Sequence, residues 1–393
     1  MFKCLKSVLL ATLFILTHYQ PTFATPSSSL PQEKIEHLAT GLDRFVAAFL
    51  KKVKSPGCVI AVVGPQQTYF LKAYGVKQLG KSIPITQKTI FQLGSASKPI
   101  SATLALLLQS QDKLSIESSV TDYLAGFKLN GQTNPLLVKH LLSHTSGLPR
   151  YGFNALIEAS ATRETLYQKV QNIPVTAQPG ESFDYHNVMF SLIEDVMEAS
   201  TNQSFETLMK NNLFEPLKMK RASIGYQNLK EATDRAIPHT KNEKGKCIAE
   251  KNYSKTYYTV SSAGGINASM EDLIPFLQLH LGRYPEILSP EARKILHTSQ
   301  ITEDEPPSWL KKFKQIEKTG YSLGWRWMDY AGERVVYHGG WLKGFHAMIA
   351  FLPEHNIGLI VLDNAETKLT IMTLMEFLDL YLSITPSAQG TQN

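Results

Sequence analysis

Ser95 and Lys98 stand three residues apart in Phe91-Gln92-Leu93-Gly94-Ser95-Ala96-Ser97-Lys98-Pro99, immediately ahead of the apolar run 100–108. Positions i and i+3 share one face of a helix, so the Lys98 amine can reach the Ser95 hydroxyl. A hydroxyl is a weak nucleophile until a neighbouring base takes its proton. Ser95 would also stand at a helix N-terminus, where backbone N–H groups and the helix dipole favour developing negative charge. Pro99 suits a first helical turn, where its missing N–H leaves no bond unmade. The chemistry this pattern supports is acyl transfer through a serine ester. Ser-x-x-Lys also occurs at Ser110/Lys113 and Ser308/Lys311. The first copy falls at a helix ending and the second in a charged, Pro-containing stretch. Only Ser95 combines a preceding Gly, a helix start and a second Ser two residues on.

A second group of residues stands far downstream. Pro179-Gly180-Glu181-Ser182-Phe183-Asp184-Tyr185-His186-Asn187 reads as a turn followed by a loop. A phenol can relay a proton where a nearby cation lowers its pKa. An amide two residues on can hold a substrate carbonyl or a lysine. The triplet alone carries little, since Tyr226-Gln227-Asn228 matches it as well. No His/Cys/carboxylate cluster has metal-ligand spacing, and no cofactor is expected.

These side chains need elements to hold them. Ile35, Leu38, Leu42, Phe45, Val46, Phe49 and Leu50 mark one face of a helix. Residues 58–63 and 68–74 read as a hairpin, with Gly64-Pro65 starting the turn. Helical pattern dominates about 135–250, for example over 191–200 and 205–213. Residues 301–320 read as a charged, exposed excursion. Strands are expected at 322–327, 334–337, 346–352 and 357–362, then a closing helix at 366–382. Strands at both ends with helices between predict an α/β (α+β) fold. Its antiparallel sheet is built from both chain ends and flanked by helices, with a mostly helical inserted lobe. One catalytic domain would cover 35–385, with a sheet lobe at about 35–130 and 255–385 and a helical lobe at about 131–254. The cleft between the lobes is the default place for a site.

Residues 1–24 read as a signal peptide. Lys3 and Lys6 precede the apolar stretch 7–16, and Thr22-Phe23-Ala24 ends in a small residue. That stretch is shorter than the ~20 residues a membrane span takes, so no stable membrane anchor is expected. Residues 25–34 read as a linker and 386–393 as a disordered tail. The expected location is periplasmic or secreted. The chain carries 40 Lys+Arg against 34 Asp+Glu, a formal net charge of +6. Loss of residues 1–24 removes two lysines and no acid. With no basic block, nucleic acid is not an expected partner. Beyond residue 24 the cysteines are Cys58, in an apolar strand, and Cys247, in a polar loop. Two thiols make no disulfide framework.

Taken in order, these segments resemble the serine β-lactamase and penicillin-binding protein superfamily, nearest its class C β-lactamase and DD-peptidase branch. The segment 91–98 looks like the nucleophile motif, and Tyr185-His186-Asn187 looks like the second motif. Leu141-Leu142-Ser143-His144-Thr145-Ser146-Gly147-Leu148-Pro149 is similar to a structural segment of the family. So is Ser262-Ala263-Gly264-Gly265 before Ser269-Met270-Glu271-Asp272-Leu273. The third motif is usually Lys-Thr-Gly on an edge strand beside the nucleophile. A literal copy, Lys318-Thr319-Gly320, comes too early in the order. His338-Gly339-Gly340 fits, followed by Trp341 and two further strands.

The resemblance implies a serine hydrolase with a β-lactamase/transpeptidase-like fold. Ser95 would be the nucleophile, with its proton taken by Lys98 or Tyr185. Backbone N–H groups of Ser95 and Trp341 would hold the oxyanion. Asn187, His338, Gly339 and Gly340 would line the substrate site, and His144 would support the fold. A histidine in place of the family's lysine is often neutral at pH 7, which weakens the anchoring of a substrate carboxylate. The expected substrates are β-lactams or D-alanyl peptides, small molecules or peptides in either case. A carboxylesterase and a penicillin-binding sensor that never turns over are the alternatives.

Overall fold

In the computed structural model the described residues are 30–150 and 153–384. The expected signal peptide, the first half of the expected linker and the expected tail lie outside them.

The main sheet has eight strands: β1 (Gly57–Val63), β2 (Thr68–Gly75), β3 (Ile301–Thr302), β4 (Ile316–Tyr321), β5 (Arg326–Tyr330), β6 (Glu333–Leu342), β7 (Phe345–Leu352) and β8 (Ile357–Asp363). Their spatial order is β2-β1-β8-β7-β6-β5-β4-β3, and every neighbouring pair is antiparallel. The sheet therefore joins both ends of the described chain, because β1 pairs with β8, Cys58 lying opposite Asp363.

Both faces of the central strands β1, β7 and β8 are covered, which explains their near-continuous apolar sequences. In β1, Val59, Ala61 and Val63 join one core, while Cys58, Ile60 and Val62 join the other. The second core lies under α1 (Gln32–Val53) and the closing helix Leu369–Ile384. Helix α1 buries Leu38, Leu42 and Val46, a four-residue spacing that keeps them on one face. Burying one such side chain contributes about 2 kcal/mol. Glu33 in its first turn and Lys51 and Lys52 in its last complement the helix dipole. Lys54 closes it in the left-handed region at φ 56°. The helix starts inside the stretch read as linker, because its first turn is exposed and carries no apolar signal.

The other face carries α2 (Ser97–Ser110), which is buried along most of its length. Beyond it pack α3 (Arg163–Asn172), α4 (Asn187–Thr201) and the short α5 (Ser261–Gly264).

Three expectations about the strands need correction. The stretch 322–327 is not one strand: Ser322–Trp325 is a turn, with Gly324 at φ 73°, and β5 starts at Arg326. The charged excursion contains β3 and β4: Glu317 and Lys318 are exposed at a shift in the pairing with β5, while Ile316 and Thr319 on either side are buried. Strand β6 runs on to Leu342, through His338-Gly339-Gly340. The closing helix starts at Leu369 rather than 366.

Candidate active site

Ser95 sits on a single 3-10 turn, Gly94–Ala96, that leads directly into α2. Strand β6 passes close beside this turn, and two glycines make the approach possible. Gly94 is left-handed at φ 54°, and a Cβ there would meet the Trp341 backbone nitrogen at 3.0 Å. A Cβ on Gly340 would overlap the Leu93 carbonyl oxygen. Any larger residue at either position would push the nucleophile away from the strand.

Lys98 is fully buried on the first turn of α2. Its amine lies 2.7 Å from Asn187 Oδ1, 2.9 Å from the Ala263 carbonyl and 3.3 Å from Ser95 Oγ. The first two partners can only accept. Burial, then the Arg326 charge, holds the amine well below its ordinary pKa. A neutral amine has two N–H bonds and one lone pair. With both N–H groups donated to carbonyl oxygens, the lone pair is what a neutral amine has left to offer Ser95 Oγ at 3.3 Å.

Tyr185 ends the loop before α4. Its ring centroid is 4.7 Å from Lys98 Nζ. Burial pushes the phenol up to about 12, while a hydrogen bond to Ser95 and the Arg326 charge pull it down. At neutral pH this group is a proton donor. Asn187 opens α4, and the His186 Nδ1 atom caps the helix by accepting from Met189 N–H. The Asn187 amide nitrogen donates to Asn154 Oδ1 at 3.2 Å. This fixes which end of the amide faces Lys98.

His144 is buried at φ 58°, with its ring centroid 4.2 Å from that of Tyr185. Its Nδ1 accepts the His186 N–H at 3.1 Å. It holds the Tyr185 loop in place.

His338 lies on β6 but is only 1% exposed. Nδ1 lies 2.8 Å from the Gly339 carbonyl oxygen and Nε2 lies 2.9 Å from the Tyr321 hydroxyl. A carbonyl can only accept, so Nδ1 carries the proton and Nε2 accepts from Tyr321. Burial is the largest cause holding the ring well below its ordinary pKa, and the Arg326 charge adds to it. Gly339 has ordinary space where its Cβ would be. Trp341 projects outward, 67% exposed.

Arg326 is the site residue the sequence did not reveal. Its guanidinium carbon lies 5.2 Å from the Tyr185 ring centroid, 5.5 Å from Tyr321 and 5.8 Å from Phe183. Nη1 is 3.6 Å from Glu303 Oε1, and no hydrogen-bond partner satisfies it among the described residues. In sequence Arg326 stands between Trp325 and Trp327, so simple alternation puts it on the polar face of a strand. The Phe183–Tyr185 loop, distant in sequence, covers that face. A cleft of about 520 Å³ opens here, with Arg150, Asp184, Tyr185, Glu303, Trp309 and Arg326 on its walls.

The decoy Lys318-Thr319-Gly320 lies on β4, separated from β6 by β5. Lys318 is exposed. Among the described residues no group of three His, Cys, Asp or Glu could hold a metal ion. No helix among them is long and apolar enough to cross a membrane.

Known proteins of similar sequence and shape share this architecture. The chain is 24% identical over 334 residues to Protein flp of Staphylococcus aureus strain N315, covering 83% of this chain and 63% of that protein. It is 24% identical over 374 residues to Unguisins hydrolase ungD of Aspergillus violaceofuscus, covering 86% of this chain and 63% of that one. The chain thus spans 63% of the length of these relatives. Among solved structures, an octameric penicillin-binding protein homologue from Pyrococcus abyssi superposes with a TM-score of 0.77 at 24% identity, covering 88% of this chain and 77% of that one. EstCE1, a hydrolase with promiscuous acyltransferase activity, gives 0.73 at 16% identity, covering 88% of this chain and 99% of that one. The Beta-lactamase family model matches residues 42–378, and the chain belongs to this family of serine hydrolases.

Proposed function

We propose that the protein is an exported serine hydrolase that cleaves carboxyl-bearing amides of the β-lactam or D-alanyl peptide type through an acyl-enzyme on Ser95. The observation that carries this reading is the buried Lys98 amine, held by Asn187 Oδ1 and the Ala263 carbonyl 3.3 Å from Ser95 Oγ. Neutral Lys98 takes the Ser95 proton as Oγ attacks the substrate carbonyl. The oxyanion forms against the backbone N–H groups of Ser95 and Trp341. As the C–N bond breaks, the Tyr185 hydroxyl protonates the departing nitrogen, and the proton on Lys98 returns to the phenolate. Water then attacks the Ser95 ester, releasing the acid and restoring the serine. The depressed Lys98 and the raised Tyr185 divide base from acid.

Arg326, not His338, is the cation that would meet a substrate carboxylate. It stands beside Tyr185 on the cleft wall, with Nη1 in a long ion pair to Glu303 but without a hydrogen bond, whereas both His338 nitrogens are engaged. Gly339 offers no hydroxyl to share that anchoring. This last feature favours a second reading, hydrolysis of esters without a carboxylate. Residues 1–24 support export to a periplasm or the outside.

Intact-mass spectra after mixing with benzylpenicillin test the proposal. A penicilloyl adduct should appear on the wild type and be absent from Ser95→Ala. Its decay rate separates a hydrolase from a sensor that stays acylated. Lys98→Arg keeps a long basic side chain but is protonated and has no lone pair to offer, so acylation should fall about 10²–10⁴-fold. Acylation of Ser95→Ala, or undiminished acylation of Lys98→Arg, would sink the mechanism.

A further inference from the structure

The Ala263 carbonyl is one of two acceptors that hold the Lys98 amine, and it belongs to α5, a helix of only four residues. So short a helix does not hold its own position. Its supports are lateral. Ser101 Oγ, one turn beyond Lys98 on α2, donates to the Ser262 carbonyl at 2.8 Å. On the opposite side the Ser262 N–H donates to Glu194 Oε2 at 3.2 Å. The same Glu194 oxygen lies 2.6 Å from Arg163 Nη2. Glu194 is 7% exposed, on the buried side of α4, two turns beyond Asn187. Buried carboxylates are costly, and the mechanism above assigns this one no step.

We propose that Glu194 is a positioning residue for Lys98: through Ser262 it fixes the Ala263 carbonyl, and Arg163 holds it there. The proposal rests on the reading of Lys98 as the base. Ionised Glu194 makes a charge-assisted bond to the α5 backbone, and its protonated form makes a weaker one. The surroundings decide which form is present. Burial, with a smaller push from Asp195 on the same helix, raises this carboxyl to about 7 against the pull of Arg163 and the Ser262 N–H. Tyr167 on α3 is turned to Asp195 at 2.5 Å. Lys98 on α2 is engaged with Asn187 and Ala263. His140, on the neighbouring helix Val138–Leu142, accepts from Leu137 N–H.

The test is the ratio of wild-type to Glu194→Gln kcat for 4-nitrophenyl acetate across pH 5–9, with KM measured alongside. Gln keeps the shape and imitates the protonated acid at every pH. The ratio should be near one at low pH and rise to about fivefold above a midpoint near 7, the difference between a charged and a neutral hydrogen bond. KM should not follow it. A ratio that does not vary with pH overturns the proposal, since a merely structural glutamate gives that result.

Arg163→Gln supplies a second reading if Glu194→Gln does not fold. Without the guanidinium the carboxyl binds its proton more tightly, so the activity midpoint must move above 7. An unmoved midpoint also overturns the proposal. Ser95→Ala runs beside both variants. Turnover in that control would refute the serine mechanism itself, which is a different failure from a flat ratio with Ser95→Ala inactive.

Discussion

His338 Nε2 lies 2.9 Å from the Tyr321 hydroxyl, and that contact turns the histidine inward. Tyr321 is fully buried on β4, two strands away from β6. With Nδ1 donating to Gly339, the ring has no nitrogen left for a substrate. It should remain the neutral Nδ1–H tautomer from pH 8 down to 5.5. Imidazole ¹⁵N shifts in a histidine-labelled sample measure this directly. A His338 signal that titrates near 6.5 would return the histidine to the substrate side.

The work of a fixed cation then falls to Arg326. Arg326→Met should lower kcat/KM for a carboxylate-bearing substrate about 10–100-fold, the value of one hydrogen bond to a charged group. An ester matched in size but lacking the carboxylate should lose far less. Equal losses on both would mean that Arg326 acts on Tyr185 and Lys98 and does not touch the substrate. The comparison matters because the same guanidinium also lowers the pKa of both groups.

Arg326 also marks where the sequence stops being legible. Ser95 and Lys98 are close in the chain, and the i, i+3 rule brings them together without knowledge of the fold. The antiparallel sheet and its closure by both chain ends follow from strand patterns such as 58–63 and 357–362. Arg326 depends on a loop about 140 positions earlier covering its strand face, and no local pattern encodes that. Strand β4 was hidden for a related reason. Its exposed residues, Glu317 and Lys318, are adjacent at a pairing irregularity, so the alternation that marks a half-buried strand is broken there. Glu194 was equally hidden, because its partners Arg163 and Ser262 come from two other helices.

Acid should weaken the fold through histidines held neutral in the core. His280 Nδ1 and His297 Nε2 are 2.9 Å apart behind α2, and His280 also meets Thr103. Burial lowers His297 to about 3. Its folded pKa is depressed below the unfolded value near 6.5, so the unfolded chain binds the extra proton between those limits. Stability from this group is present above 6.5 and is lost as pH falls below it. The loss from pH 8 to pH 5 is about 2 kcal/mol for one such group. His297→Gln can still donate to His280 and has no proton to gain. Urea unfolding at the two pH values should show a smaller drop for the variant by about that amount. Equal drops would mean that His297 is charged in the folded protein or stays neutral in the unfolded chain.

Gly339 offers the opportunity to restore what the third motif lacks. Its backbone is not left-handed, and an added Cβ would meet only Met348 Cε at 3.4 Å and the Ala347 carbonyl oxygen at 3.8 Å. The nearer atom is the end of a flexible side chain, which can move at little cost. Threonine therefore fits here, in contrast to Gly340, where the Leu93 carbonyl blocks any side chain. A strand interior also favours threonine over glycine. Gly339→Thr should keep or raise the melting temperature. It should also speed acylation by benzylpenicillin about fivefold, the worth of roughly one added hydrogen bond of 1 kcal/mol. An ester without a carboxylate serves as the control and should not gain. If penicillin acylation is unchanged while the protein is stabilised, the carboxylate does not sit against β6, and recognition rests on the Arg326 side of the cleft alone.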